Sequence, residues 1–169
     1  MIGKFIDWVC WKVVRSLPTR SRVVDIDGEP YLLRFYIKRN GWLPGIYLHH
    51  FYMGDSDRDL HDHPWKLSGS LILTGGYIEE RLMKSGPYNV VARRKLGPGS
   101  INIIRGNDFH RVDLVEDRAW TIFVSGRKTK DWGFLIHETG EIINHRVYLA
   151  NKGRIPDSEL SNCGFFQEG

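Results

Sequence analysis

Apolar residues recur at two different periods along this chain, and the change between them comes early. Ile2, Phe5, Ile6, Val9, Cys10, Val13 and Leu17 fall at i, i+3, i+4 spacing and mark one stripe of a helix over residues 2–17. Pro18 stops it. The stripe is expected to pack on the outside of the main body. The opposite face then holds Lys4, Asp7, Trp8, Trp11, Lys12 and Arg15. Two tryptophans among cations leave three readings: cover by the chain itself, a seam between two copies in a homodimer, or contact with a membrane surface.

From Ser21 onward the period shortens to that of strands. Arg22–Ile26 and Tyr31–Ile37 flank Asp27-Gly28-Glu29-Pro30, a hairpin signal. Gly45–Met53 forms the next strand, and its neighbours His49 and His50 must face opposite ways. In Asp59-Leu60-His61-Asp62-His63-Pro64-Trp65 an extended backbone turns His61 and His63 to one side, and Pro64 ends the strand. Further strands are expected at Leu67–Leu73, Tyr77–Met83, Asn89–Lys95 and Ile101–Ile104. His110–Leu114 and Trp120–Ser125 read as a hairpin around Glu116-Asp117. Phe134–His137 and Glu141–Leu149 read as another around Thr139-Gly140. About ten short strands with no helices between them make an all-β domain, a sandwich or barrel. The division is a helix over 1–20, a β-domain over 21–150 and a polar tail over 151–169, where Phe165 and Phe166 are the docking candidates.

Composition narrows the chemistry. At 41% hydrophobic and 26% charged, the 169 residues suit one globular domain. A net charge of +4, spread along the chain, carries no strong nucleic-acid signal. Cys10 and Cys163 are too few and too far apart for a disulfide framework or a CxxC site. No stretch reaches the ~20 apolar residues that span a bilayer, and the N-terminus lacks the marks of a signal peptide. The expected location is the cytoplasm. There is no phosphate-binding glycine loop and no Ser-His-Asp arrangement.

The remaining chemistry lies in the histidines. Two imidazoles on one strand face are two legs of a first-row metal site. A third stands at the end of a recognisable spacing, because Gly99 is followed after ten residues by His110. The second cupin motif has a Gly, five residues, a Pro, one residue, a Gly, two residues and a His. This chain keeps the Gly-to-His distance, with Arg105 for the Pro and Asn107 for the second Gly. His61, His63 and Gly75 fit the frame of the first cupin motif, and Ser68 stands where its Glu would be. Over residues 45–126 the chain thus resembles a small single-domain cupin. The resemblance implies a cupin-type double-stranded β-helix, or jelly roll, barrel carrying the N-terminal amphipathic helix.

It also implies His61, His63 and His110 as ligands of a divalent metal, Fe(II) first, with Zn, Mn or Ni as alternatives. Thiol dioxygenases are cupins that use three histidines without the acid. A fourth ligand is sought among His49, His50, Glu79 and Glu80, though the plain reading of the two glutamates is a solvated pair. Glu79, Glu80 and Tyr77 are candidates for moving protons. Asp59 and Asp62 are candidates for orienting a histidine. Arg105 and Arg111 would hold a small anionic ligand, and Tyr47 and Trp65 would line the mouth. His137 and His145 face each other across the expected last hairpin. Three functions remain: an Fe(II)-dependent oxygenase acting on a small polar substrate, a metal-dependent isomerase, epimerase or lyase, and a non-catalytic ligand-binding or assembly module.

Overall fold

The computed structural model describes residues 2–16, 20–26, 29–38, 44–55, 59–85 and 88–152. A helix, α1 (Ile2–Ser16), precedes the strands β1 (Arg20–Ile26), β2 (Glu29–Lys38), β3 (Gly45–Phe51), β4 (Leu60–His61), β5 (Leu67–Thr74) and β6 (Tyr77–Ser85). After them come β7 (Tyr88–Leu96), β8 (Ile101–Arg105), β9 (His110–Leu114), β10 (Ala119–Ser125), β11 (Gly133–Leu135), β12 (Ile142–Asn144) and the helix α2 (His145–Asn151). They form two six-stranded antiparallel sheets, in the orders β1-β2-β3-β10-β5-β8 and β12-β11-β4-β9-β6-β7. From β3 to β11 the chain crosses between the sheets at every step except β6 to β7, which gives a jelly roll. Among the described residues the two sheets are not hydrogen-bonded into a closed barrel.

The strands follow their alternation. In β5 the residues Ser68, Ser70, Ile72 and Thr74 turn inward and their neighbours outward. The turn from β5 into β6 needs glycine: Gly75 has φ +66°, and a Cβ there would run into the carbonyl of Arg118. The expected β1–β2 hairpin forms, and β6 also pairs with β7. A further expected hairpin, between His110–Leu114 and Trp120–Ser125, does not form. β9 pairs with β4 and β6, whereas β10 pairs with β3 and β5 in the other sheet. The turn at 116–117 therefore crosses between sheets instead of closing a hairpin. The last expected hairpin forms as β11–β12, but its second strand is shorter than Glu141–Leu149. It breaks at Asn144, whose side chain accepts from the Arg146 backbone N–H and caps α2. Leu17, Cys163, Phe165 and Phe166 lie outside the described residues.

The helix packs on the outer face of the first sheet, but by a rotated face. Cys10 and Val14 are buried with Phe35, Leu48 and Trp120, and Ile6 and Trp11 pack against them. Trp11 meets Trp120 and His50 edge-on, each with ring centroids 5.2 Å away. Asp7 also turns inward and accepts from Trp120 Nε1 at 2.7 Å. Ile2, Phe5, Trp8 and Val13 of the expected inner stripe and polar face are exposed instead, Trp8 at 54%. One wide indole and one buried hydrogen bond outweigh several small aliphatic contacts. Any dimer seam or membrane contact of this helix thus rests on Trp8 without Trp11.

Trp11→Ala should therefore cost about 3–5 kcal/mol of stability, the usual loss for a buried large-to-small change. Trp8→Ala should stay within about 0.5 kcal/mol, as exposed sites do. Urea denaturation of the two variants against wild type checks the pair.

Candidate metal centre

One cross-strand pair builds the centre. β4 and β9 place His61 directly opposite His110. β4 has only two residues, so the chain has left the strand before His63, and its ring returns to the other two through the loop that Pro64 enforces. His61, His63 and His110 each offer one ring nitrogen, and these atoms lie within 4.8 Å of one another. Nε2 of His63 and Nε2 of His110 are 2.8 Å apart.

A buried acid orients this set. Glu79, on β6 and 1% exposed, lies 2.9 Å by Oε1 from His110 Nδ1. With Nδ1–H donated to Glu79, His110 turns its Nε2 toward His63. Glu79 is therefore not the solvated residue of the sequence reading. Neither is it a fourth member of the histidine cluster, which contains no carboxylate. It accepts further bonds from Arg81 (2.7 Å), Arg94 (2.9 Å) and Asn102 (2.9 Å). Burial alone would raise its pKa, but these donors together with His110 hold it well below the ordinary carboxylate range.

His61 and His63 are kept neutral. Burial is the main cause for His61, whose pKa falls to about 4 despite the nearby Asp55 carboxylate. Burial and the neighbouring His110 and His61 hold His63 well below its usual value. Neutral imidazoles with inward lone pairs are what a divalent ion requires. Aromatic walls enclose them. Trp65 stacks beside His63 with centroids 5.7 Å apart, and Phe123 lies 5.5 Å from Trp65. Trp132 and Phe134 flank His61.

The other sequence candidates divide. Tyr77 is interior, with its hydroxyl 2.8 Å from Ser70 Oγ, and burial raises its pKa. Tyr47 is buried against Phe123 and His49. His49 shares this interior but spends Nε2 on the Arg34 Nε–H at 3.0 Å. His50 lies on the opposite sheet face, stacked on Trp120 under α1, and so cannot be a fourth ligand. Glu80 and Arg111 bond each other at 2.7 Å on the outer side of the second sheet, because strand alternation turns Glu80 away from Glu79. Arg105 is exposed, and its backbone N–H goes to Asp108. Neither arginine reaches the centre.

Asp59 and Asp62 orient no histidine. Asp59 accepts from Tyr148 and the His137 backbone, and Asp62 accepts from Gly133 and Lys130. The aspartate near the centre is Asp55, 3.9 Å from His61 Nδ1, which the sequence did not single out. His137 does not meet His145, which stacks on Trp132 at 4.5 Å. Ser68, at the missing motif acid, turns its hydroxyl to the Ile104 carbonyl. Cys10 is free and buried, with its thiol pushed up to about 11, which removes it as a nucleophile.

Comparison with solved structures follows from this architecture. An Fe(II) form of HppE superposes with a TM-score of 0.52 at 13% identity, covering 65% of this chain and 58% of that one. HppE with Fe(II) and the alternative substrate (S)-1-HPP gives 0.51 at 12%, covering 64% and 56%. The fold is cupin-like. KdgF from Halomonas sp. gives 0.46 at 18% identity, covering 63% of this chain and 89% of that one. The chain spans little more than half the length of the HppE chains it matches. No protein-family model and no curated protein sequence matches it. Among the described residues no helix is long and apolar enough to cross a membrane.

The burial of neutral histidines sets an acid dependence. An unfolded histidine takes up a proton near pH 6.5, while folded His61 resists until about pH 4. The unfolded state therefore binds more protons in that window, and stability falls as pH drops through it. His61 alone accounts for a loss on the order of 3 kcal/mol. Metal-stripped protein should show a falling urea midpoint from pH 7 to 5, and His61→Asn should flatten the slope.

Proposed function

We propose that this chain is a metal-dependent enzyme whose divalent ion is held by His61, His63 and His110, and that it is an Fe(II) oxygenase acting on a small polar substrate. The observation that carries the reading is the convergence of three ring nitrogens inside the fold, with one ring fixed by a buried acid. Fe(II) is the first choice because three neutral nitrogen donors suit it, and the HppE forms that share this fold hold Fe(II). An ion at this point supplies a Lewis-acidic, redox-capable centre with open positions for substrate and dioxygen.

The chain's own residues do the rest. Glu79 fixes the His110 tautomer and ring angle, the arrangement that outer partners of metal-bound histidines commonly make. Trp65 and Phe123 form an apolar wall beside His63 that keeps bulk water from that side. Tyr77, held protonated by burial, can donate a hydrogen bond but is a poor base at neutral pH.

That last property also supports a second reading. A metal-dependent isomerase, epimerase or lyase needs a proton donor near a polarised oxygen, and the Tyr77 hydroxyl faces this interior beside Ser70 and Asn102. Oxygen consumption separates the two readings. Strictly metal-dependent uptake supports the oxygenase, and turnover under anaerobic conditions supports the isomerase. An empty site whose stability ignores chelator leaves a ligand-binding module.

Protein purified without a polyhistidine tag should bind about one divalent ion per chain. Each of His61→Ala, His63→Ala and His110→Ala should abolish that binding. Glu79→Gln, which keeps every ligand, should weaken affinity about 10–100-fold. Glu80→Gln should leave it unchanged. Metal analysis and competition with a chromogenic chelator read all five, and an unaffected His110→Ala would overturn the assignment.

A further inference from the structure

Arg34 places a positive charge on the wall of the same interior. The β2–β3 register sets it opposite His49, and its Nε–H donates to His49 Nε2 at 3.0 Å. Its guanidinium lies over the Tyr47 ring, 5.4 Å from the centroid. His49 stacks on Phe123 at 5.3 Å, and Phe123 lies 6.3 Å from His63. Arg34, His49, Phe123 and His63 are therefore successive parts of one wall. Thr121, opposite His49 on the next strand, is buried there, and its hydroxyl has no hydrogen-bond partner among the described residues.

A guanidinium is charged at every accessible pH. The arginines around Glu79 are matched: Arg81 by Glu79 and Asp108, and the half-exposed Arg94 by Glu79. Among the described residues no carboxylate lies within 4.0 Å of Arg34. The nearby Asp55 is committed to the Tyr31 hydroxyl and the Val112 N–H, each at 2.7 Å. His49 cannot balance the charge, because burial and Arg34 itself keep it neutral. The bond to His49 fixes Nε, and among the described residues no carboxylate takes the two terminal nitrogens, which make a fork of the geometry that pairs with a planar or tetrahedral oxyanion.

We propose that Arg34 is the anion-holding subsite of this interior, so that the molecule reaching the three histidines carries a carboxylate or a phosphate-type group. The Thr121 hydroxyl, on the far side of His49 from Arg34, is a further donor on this wall. The claim that such a molecule also meets a metal rests on the proposed function. The anion subsite does not, and the test separates them.

Calorimetric titration of metal-free and metal-loaded protein with inorganic phosphate, with succinate, and with neutral glycerol as control reads the subsite directly. Wild type should bind at least one of the two anions and ignore glycerol, and the preferred anion distinguishes the two chemistries. Arg34→Gln should weaken that binding about tenfold or more, as loss of a charge-assisted pair does, while its metal content stays at the wild-type level. Arg34→Lys, which keeps charge without the fork, should fall between. His63→Ala should lose metal yet keep the anion affinity of metal-free wild type. In wild type, mass-spectrometric mapping of phenylglyoxal modification should show Arg34 protected by the bound anion, which holds the test open if Arg34→Gln does not fold. Binding of neither anion by wild type, equal affinity in Arg34→Gln, or an unprotected Arg34 would overturn the proposal. A wild type that takes no metal but shows Arg34-dependent anion binding would sustain the subsite and sink the metal enzyme.

Discussion

A carboxylate 1% exposed between two sheets stays ionised only if it is surrounded by donors, and Glu79 is the point on which this interior depends. Its partners come from both sheets. His110, Arg81 and Arg94 lie on three adjacent strands of one, and Asn102 reaches it from the edge strand β8 of the other. The same carboxylate thus ties the sheets together at one edge and sets which nitrogen of His110 faces the other histidines. Stability and site geometry share a single group. Arg81 and Arg94 are in turn committed to it, which is why they are structural cations and Arg34 is not.

The distribution of apolar mass follows from that choice. The inward faces of the sheets carry Ser68, Ser70, Asn102, Thr121, His49 and Glu79, a polar lining that supplies little hydrophobic stabilisation. The interior keeps two small apolar clusters, around Ile72 and Tyr77 and around Leu32 and Phe51. A larger apolar cluster lies outside the first sheet, where α1 lays Trp11 against Trp120, Phe35 and His50. A helix that looks like an appendage is therefore part of the core. It relieves the interior of packing duty and leaves that space to polar groups.

Much of the fold was legible because strand alternation and turn residues are local signals. The positions of His61, His63 and His110 were legible because spacing survives even where motif residues change. What depended on partners was not. A strand of two residues and a turn that crosses sheets look the same in sequence as longer strands and hairpins, since pairing is decided by distant segments. The helix face was misjudged because counting aliphatic positions gives no weight to Trp11 or to the bond between Asp7 and Trp120. Glu79 and Glu80 are identical in sequence terms, and only the direction of the β6 pleat makes one a buried anchor and the other half of a surface pair with Arg111. Arg34 sits in an ordinary strand, and nothing nearby in sequence marks it.

The charges of the interior then bear on what it can accept. Glu79 and Asp108 balance Arg81 and Arg94, whereas among the described residues Asp55, beside His61, makes no ion pair with Arg34. Burial keeps His61 and His63 neutral, so they add no charge. A divalent ion held there would bring two positive charges with no protein group left to offset them. In a medium of low dielectric such an excess is costly. The missing negative charge has to arrive with the ligand, and Arg34 lies on the wall where one end of that ligand would rest. Metal site and anion subsite are then complementary demands of one balance: a neutral molecule would satisfy the shape of the interior and leave its field uncompensated.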